Sequence, residues 1–145
     1  KALASGKVGG YITDFPSKEL LQFDNVLGVP HLGASTPESE ENCAVMAANE
    51  IRDYLENGNI THSVNMPDIQ MAQEAKYRLC IINKNIPNMV GEMTTNVGIN
   101  IENMANKAKK DYAYTILETN DEISAELLDK LAAQDGIKSV RLIVK

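Results

Sequence analysis

The sequence predicts an α/β segment followed by an α+β domain, a four-stranded antiparallel sheet with two helices on one face. Three observations support this fold class. Two short strands and a long amphipathic helix make up the first half, a polar stretch separates the halves, and the second half alternates strand, helix, strand, strand, helix and strand. Elements in that βαββαβ order fold as an antiparallel sheet with its helices packed on one side.

The first half supplies too few elements for a core of its own. Residues 7–15 and 25–32 are typical of short strands, and the second is rich in β-branched residues. Residues 37–57 predict a helix with Thr36 as its N-cap and Gly58 at its end. Two strands and a helix do not close a core, so we expect the apolar stripe of this helix to contact a partner outside this sequence. The stripe has a helical period: Ala44, Ala47, Ala48, Ile51, Tyr54 and Leu55.

The second half has a complete set of elements. The predicted strands are 77–83, 99–108, 112–120 and 137–144, and the predicted helices are 87–96 and 124–134. Ser124 is a good N-cap, and Gly136 ends the second helix. We therefore predict three regions: an incomplete segment 1–65, a linker 66–76 and a domain 77–145.

Composition excludes several function classes. The formal net charge of −6 argues against a nucleic-acid partner, and the arginines Arg52, Arg78 and Arg141 form no phosphate-binding cluster. No apolar run approaches the roughly 20 residues that span a bilayer, and no export leader is visible. Cys43 and Cys80 lie in unlike contexts, which favours two buried free thiols in a reducing cytoplasm over a disulfide. The acidic runs lack His or Cys at ligand spacing, so we predict no metal site.

The stretch PHLGAST, residues 30–36, places a lone histidine between an apolar strand and the start of a helix. By itself, His31 is either a structural histidine at a strand end or a proton-handling group at the mouth of a cleft. An imidazole can accept a proton near neutral pH, which suits the second role. His62 follows the helix in a polar loop, where we expect it to face solvent without a functional role.

PHLGAST, followed by an acidic helix and then VNMP, resembles the D-2-hydroxyacid dehydrogenase family. The turn NKNIPN after the first strand of the second half, with GINI further on, resembles an ACT regulatory domain. This pair in this order implies the C-terminal portion of an NAD-dependent, cytoplasmic enzyme of L-serine biosynthesis that acts on 3-phospho-D-glycerate. The resemblance covers essentially the whole chain. The alternative is a free-standing ACT-type amino-acid-binding module without catalytic activity.

The resemblance implies that His31 is the acid–base residue. It also implies that Gly33 lets the backbone approach the cofactor, because no side chain intervenes. The family pairs its histidine with a carboxylate, for which Glu19 and Asp14 are both candidates and Glu19 is the tentative assignment. The family's substrate-binding arginine and its glycine-rich dinucleotide loop lie upstream, and SGKVGG is not that fingerprint. We therefore expect this chain alone to be inactive and to bind NAD poorly.

In the ACT half, the resemblance implies an amino-acid effector, most plausibly L-serine, at Asn83, Asn85 and Asn100. Asparagine amides offer donors and an acceptor that match the ammonium and carboxylate of an amino acid. Asn83 stands where the family has histidine, and Asn88 stands where it has glycine. These two replacements leave two alternatives: the domain senses serine, or it has lost that ability. Asn85 and Asn88 also suit simple turn and cap roles. The stretch 87–100 is about three residues shorter than the family's, nearly one helical turn.

The predicted strand 77–83 carries only Arg78 to discourage pairing with another chain, so we expect it to be a sheet edge. The resemblance implies ACT domains joined edge to edge across a two-fold axis, in a homodimer or a higher oligomer with the effector between subunits. Such a contact would bring Asn83 and Asn85 towards the partner subunit's Asn100.

Overall fold

A computed structural model describes residues 1–145. None of its helices combines the length and apolar composition that a membrane crossing requires. In chain order the elements are β1 (Tyr11–Thr13), a short 3-10 helix (Leu20–Gln22), β2 (Val26–Gly28), α1 (Pro37–Asn57), β3 (Tyr77–Lys84), α2 (Met89–Val97), β4 (Asn103–Lys109), β5 (Tyr112–Thr119), α3 (Ala125–Ala133) and β6 (Ile137–Val144).

Contacts divide the chain into two compact units, residues 1–47 and 48–145. This division lies earlier than the boundary at 66–76 that the sequence predicts. Residues 58–76, which we call the connector, fold onto the sheet. Ile60 and Ile69 are only 8% and 2% exposed, so the connector is not a free linker.

The first unit contains one parallel pair of strands. Tyr11 of β1 faces Val26 of β2, and the pairing ends two residues later, so both strands are shorter than predicted. Pro30 limits β2, because proline has no backbone N–H to donate to a ladder. No residue of this unit is buried, and Phe15 is 74% exposed. The shortage of elements thus leaves this unit without a core.

Helix α1 begins and ends where the sequence predicts. The backbone N–H of Ser39 donates to the Thr36 hydroxyl at the N-cap. Gly58 has a φ of +73°, the left-handed conformation in which helices commonly terminate. Ile51 and Leu55 of the predicted apolar stripe are each 60% exposed. Cys43 is a free and exposed thiol, so the prediction that both cysteines are buried is wrong for this residue.

The second unit is built on a four-stranded antiparallel sheet in the order β4-β5-β3-β6. The prediction of this sheet is confirmed, and it is compatible with an ACT-like fold. The prediction that residues 77–83 form an edge is wrong, because β3 lies between β5 and β6. The edges are β4 and β6. The run LCII of β3 is apolar at every position, as expected for a strand covered on both faces.

Two apolar clusters cover the two faces of the sheet. One cluster joins α2 and α3 to alternate residues of the strands, with Leu79, Ile81, Met93, Leu117 and Leu131 nearly or fully buried. The other joins the connector to the opposite face, through Ile60, Ile69, Cys80, Tyr114 and Ile116. Burial of both faces explains why the sheet unit holds the whole buried core of the chain.

Candidate functional site

His31 and Asp14 meet where the two parallel strands of the first unit end. Asp14 follows β1 directly, and His31 lies three residues beyond β2. The carboxyl ends of parallel strands lie along one edge, which is where open α/β sheets bind their ligands. The imidazole Nδ1 of His31 is 2.6 Å from Oδ2 of Asp14. The ring of Phe15 packs against the imidazole, with ring centroids 4.5 Å apart.

This pairing determines which nitrogen of His31 is available for chemistry. When Nδ1–H donates to the Asp14 carboxylate, Nε2 keeps a lone pair in the neutral imidazole. The side chains of His31 and Asp14 are 53% and 50% exposed, so a substrate can reach the free nitrogen. A carboxylate behind the imidazole also stabilises the imidazolium that forms when Nε2 takes a proton. The geometry is therefore that of a general base with a positioning carboxylate.

Glu19 is not the partner of His31 in the structure. Its carboxylate makes no hydrogen bond to the imidazole, and the Ser17 hydroxyl lowers its pKa by hydrogen-bonding to it. The tentative assignment of Glu19 is therefore corrected to Asp14. Gly33 lies in open space, since a Cβ added there would meet no atom within 4 Å.

The predicted effector residues Asn83 and Asn85 lie near the end of β3. Asn83 is 1% exposed. Its amide donates to the Lys84 carbonyl, and its carbonyl accepts a 3.5 Å hydrogen bond from Thr115. Asn85 is exposed, and its amide donates to the carbonyl of Lys110, in the turn between β4 and β5. Asn85 is thus the more accessible of the two to a ligand.

Asn100 lies at the opposite end of the same sheet. Its backbone N–H donates to the Asp121 carboxylate, just beyond β5, and its amide donates to Glu102. Asn83 faces Ala113, near the start of β5. An eight-residue strand spans roughly 25 Å. One chain therefore does not bring Asn100 to the other two asparagines.

Asn88 has a physical reason to stand where the resembling family has glycine. Its φ is +67°, in the left-handed region immediately before α2. Glycine adopts this region freely, and asparagine tolerates it better than most other residues. The residue makes no side-chain capping hydrogen bond. The replacement therefore preserves the backbone path into α2, which spans nine residues.

A buried ion pair at the other end of β3 was not foreseen from the sequence. Arg78 and Glu118 are both fully buried, and Nη2 of the arginine lies 2.5 Å from Oε1 of the glutamate. Burial alone would raise the pKa of Glu118, but hydrogen bonds from Arg78 and Asn103 hold it below its usual range. Arg78 also donates to the carbonyls of Asn57 and Met71. The signal available in the sequence was one charged residue within each of two largely apolar runs, Arg78 in β3 and Glu118 in β5.

The end of α1 is held by further donors from the sheet. The Tyr114 hydroxyl donates to the Gly58 carbonyl at 2.7 Å, and Arg141 donates to the Tyr54 carbonyl. Burial, with Cys80 close by, raises the pKa of Tyr114, so its hydroxyl stays protonated and available as a donor. Side chains of β5 and β6 thus donate to two carbonyls at the end of α1: that of Tyr54, which also accepts from the Gly58 backbone N–H, and that of Gly58, just beyond the helix.

Comparison with known proteins finds relatives of this sequence. No family model matches the chain. D-3-phosphoglycerate dehydrogenase of Haemophilus influenzae is 31% identical over 160 residues, which cover 99% of this chain and 38% of that protein. The enzyme of the same name from Escherichia coli K12 is 28% identical, covering 98% of this chain and 38% of its own length. The chain is similar to D-3-phosphoglycerate dehydrogenases.

A yeast relative extends the match beyond bacteria. D-3-phosphoglycerate dehydrogenase 2 of Saccharomyces cerevisiae is 26% identical over 136 residues, covering 88% of this chain and 29% of that protein. The resemblance predicted from the sequence is thus confirmed. The chain spans about 38% of the length of the bacterial D-3-phosphoglycerate dehydrogenases, and the match covers both of its units.

Proposed function

We propose that this chain is the C-terminal portion of a cytoplasmic, NAD-dependent D-3-phosphoglycerate dehydrogenase of L-serine biosynthesis, with His31 as its acid–base residue. The observation that carries the proposal is the 2.6 Å contact between His31 and Asp14 at the ends of two parallel strands. Similarity to D-3-phosphoglycerate dehydrogenases over 99% of the chain supports it. The same similarity favours the enzyme over a free-standing ACT module, because it includes the first unit.

The pair provides the proton transfer that the reaction needs. Oxidation of the C2 hydroxyl of 3-phospho-D-glycerate breaks a C–H and an O–H bond, releasing a hydride and a proton. A bound dinucleotide supplies the hydride acceptor. Nε2 of His31 takes the hydroxyl proton as the C2–O double bond forms, and Asp14 stabilises the resulting imidazolium. In the reverse direction, His31 returns the proton to the oxygen.

The residues present fit one wall of a dinucleotide site. Gly33 offers open space beside the backbone, and the carboxyl ends of β1 and β2 form an edge of the kind at which such cofactors bind. No glycine-rich phosphate loop occurs in this sequence. We therefore assign Gly33 to the nicotinamide end of the cofactor and expect the phosphate-binding residues to come from elsewhere in the enzyme.

Replacing Asp14 tests the proposed pair. In the full-length enzyme, Asp14→Asn is expected to lower kcat by at least about a hundredfold, because an amide neither fixes the productive tautomer nor stabilises the imidazolium. Glu19→Gln is the matched control and is expected to keep wild-type turnover, since Glu19 does not contact His31. Steady-state kinetics with 3-phospho-D-glycerate and NAD measure both. A loss in Glu19→Gln with near-normal Asp14→Asn would contradict the assignment.

We further propose that the second unit is an ACT-type regulatory domain that dimerises through a sheet edge. Its element order, β3-α2-β4-β5-α3-β6, and its antiparallel sheet support this proposal. Because β3 is central, the edges are β4 and β6, and β4 is the one flanked by two of the asparagines: Asn100 precedes it, and Asn85 contacts Lys110 just after it. Two β4 strands, one from each subunit, would pair antiparallel about a two-fold axis. Asn100, which precedes β4 in one subunit, would then lie near the C-terminal end of β4 in the partner subunit. The partner subunit's Asn85 lies at that end.

An amino-acid effector, with L-serine as the first candidate, is expected to bind between two such subunits. Calorimetry of the full-length protein with L-serine, glycine and other small amino acids identifies the ligand. The double variant Asn85→Ala, Asn100→Ala is expected to lose binding, whereas Asn49→Ala on α1 is expected to keep it. Sedimentation should show a dimer in all three proteins. Unchanged effector binding in the double variant would overturn the assigned site, and a monomer would overturn the edge contact.

A further inference from the structure

A second candidate site lies within the sheet unit, on the face away from α2 and α3. A cavity of about 330 Å³ opens between α1, the connector and β3. This volume is at the lower end of the range of small-molecule sites. Its apolar lining comes from all three elements: Ile51, Tyr54, Ile60, Met66 and Ile82.

The polar lining of the cavity is dominated by one charged pair. Nδ1 of His62 lies 2.6 Å from Oε1 of Glu50. The other polar side chains are largely occupied: Asn59 donates to Asp53, and Ser63 donates to Asn65. With Nδ1 committed to Glu50, Nε2 of His62 has no partner within the chain, and it is a charged donor when the imidazole is protonated.

The ion pair with Glu50 shifts His62 towards its protonated form. The hydrogen bond and the charge of Glu50 raise the pKa of His62, and Asp68 adds a smaller contribution in the same direction. Two lysines of β4 also lie on this side: Lys107 shares a neighbouring cavity with His62, and Lys109 donates to the Ser63 carbonyl. A carboxylate entering the cavity would therefore meet the cationic imidazole of His62, whose other nitrogen is already hydrogen-bonded to Glu50.

We propose that this cavity binds a small monocarboxylate with an apolar body, whose carboxylate accepts a hydrogen bond from Nε2 of His62. The apolar body packs against Tyr54, Ile60 and Ile82, and the Nε2–H of the protonated imidazole is the donor to the carboxylate. This site is separate from the His31–Asp14 pair and from the three asparagines. It therefore does not depend on the dehydrogenase activity.

The test uses straight-chain carboxylates as probes and measures binding directly by calorimetry and NMR titration. Butanoate and hexanoate are expected to bind, and hexanoate more tightly, because a longer chain buries more apolar surface. Hexanamide and hexylammonium, which lack the negative charge, are expected to bind at least about tenfold more weakly. Equal binding of hexanoate and hexanamide would overturn the proposal, as would the absence of saturable binding at millimolar concentrations.

Two histidine variants locate the binding site. His62→Asn is expected to weaken hexanoate binding at least about tenfold. Asparagine is chosen because His62 has a φ of +53°, a conformation that asparagine tolerates. His31→Asn is the matched control and is expected to leave hexanoate binding unchanged. Loss of binding in the His31 variant instead would assign the ligand to the other histidine and overturn the proposal.

The pH dependence gives an independent measurement. Because the raised pKa of His62 favours the binding-competent imidazolium, hexanoate affinity is expected to be higher at about pH 6 than at about pH 8.5. The other charged groups on this side of the sheet are Glu50, Asp68, Lys107 and Lys109. The pH difference should vanish in His62→Asn. An affinity that does not change with pH in the wild-type chain would contradict a role for His62.

Discussion

Replacement of His31 by alanine in the full-length enzyme is expected to lower turnover of 3-phospho-D-glycerate by about 10²–10⁴-fold, the usual contribution of a positioned acid–base group. The hydroxyl proton then has no acceptor at the position of Nε2. Binding of NAD should change little, because the role proposed for His31 is proton transfer and this sequence contains no glycine-rich phosphate loop. Steady-state kinetics and NAD titration separate these two effects.

The His31 variant needs a control for general damage. Asn49→Ala, an exposed position on α1, is expected to retain wild-type turnover. His31 itself is half exposed, so its removal should leave the fold intact, as circular dichroism would show. Near-normal turnover in a folded His31→Ala enzyme would return this residue to a structural role at the end of β2.

Replacement of Arg78 by methionine is expected to reduce the free energy of unfolding by about 3–5 kcal/mol. The change leaves the Glu118 carboxylate buried without its partner and removes the donors to the Asn57 and Met71 carbonyls. Urea denaturation of the chain, followed by circular dichroism of the sheet, measures the loss. A change within about 0.5 kcal/mol, the range of ordinary surface substitutions, would contradict the structural role of Arg78.

A second substitution separates two effects on stability: the unpaired charge of Glu118 and the lost contacts of Arg78. The double variant Arg78→Met, Glu118→Leu is expected to be more stable than Arg78→Met alone, because it no longer buries an unpaired carboxylate. In the wild type, Glu118 has a lowered folded-state pKa, so its contribution is complete above its unfolded pKa of about 4.3. That contribution is lost as the pH falls through the folded-state value. The double variant should lack this acid-dependent loss.

The helices and strands of the sheet unit could be predicted from the sequence, but the order in which the strands pair could not. Alternation and turn residues place strands near their true positions, whereas pairing order depends on contacts between distant residues. The prediction that β3 is an edge strand was wrong although the sequence contained the opposite signal. The continuous apolar run LCII indicates a strand buried on both faces. The connector escaped prediction because its buried hydrophobic side chains, Ile60, Ile69 and Ala75, are spread singly among mostly polar residues.

The sequence predicted which residue types form the candidate site, but it did not predict which carboxylate pairs with His31. PHLGAST singled out His31, and two carboxylates lay within reach along the chain. Asp14 becomes the partner because the parallel register of β1 and β2 carries both residues to one edge, and sequence spacing does not determine that register. The Glu50–His62 pair was missed for a similar reason, since the two residues are twelve apart and meet only through the path of the connector.

A double-mutant cycle on kcat tests the His31–Asp14 pair most directly. The full-length wild type, His31→Ala, Asp14→Asn and the double variant are compared under identical conditions. Because Asp14 acts only through the imidazole, the double variant is expected to have the same kcat as His31→Ala alone. Effects that multiply, so that the double variant is slower by the product of the two single losses, would show that the two residues act independently and would contradict the proposed pair.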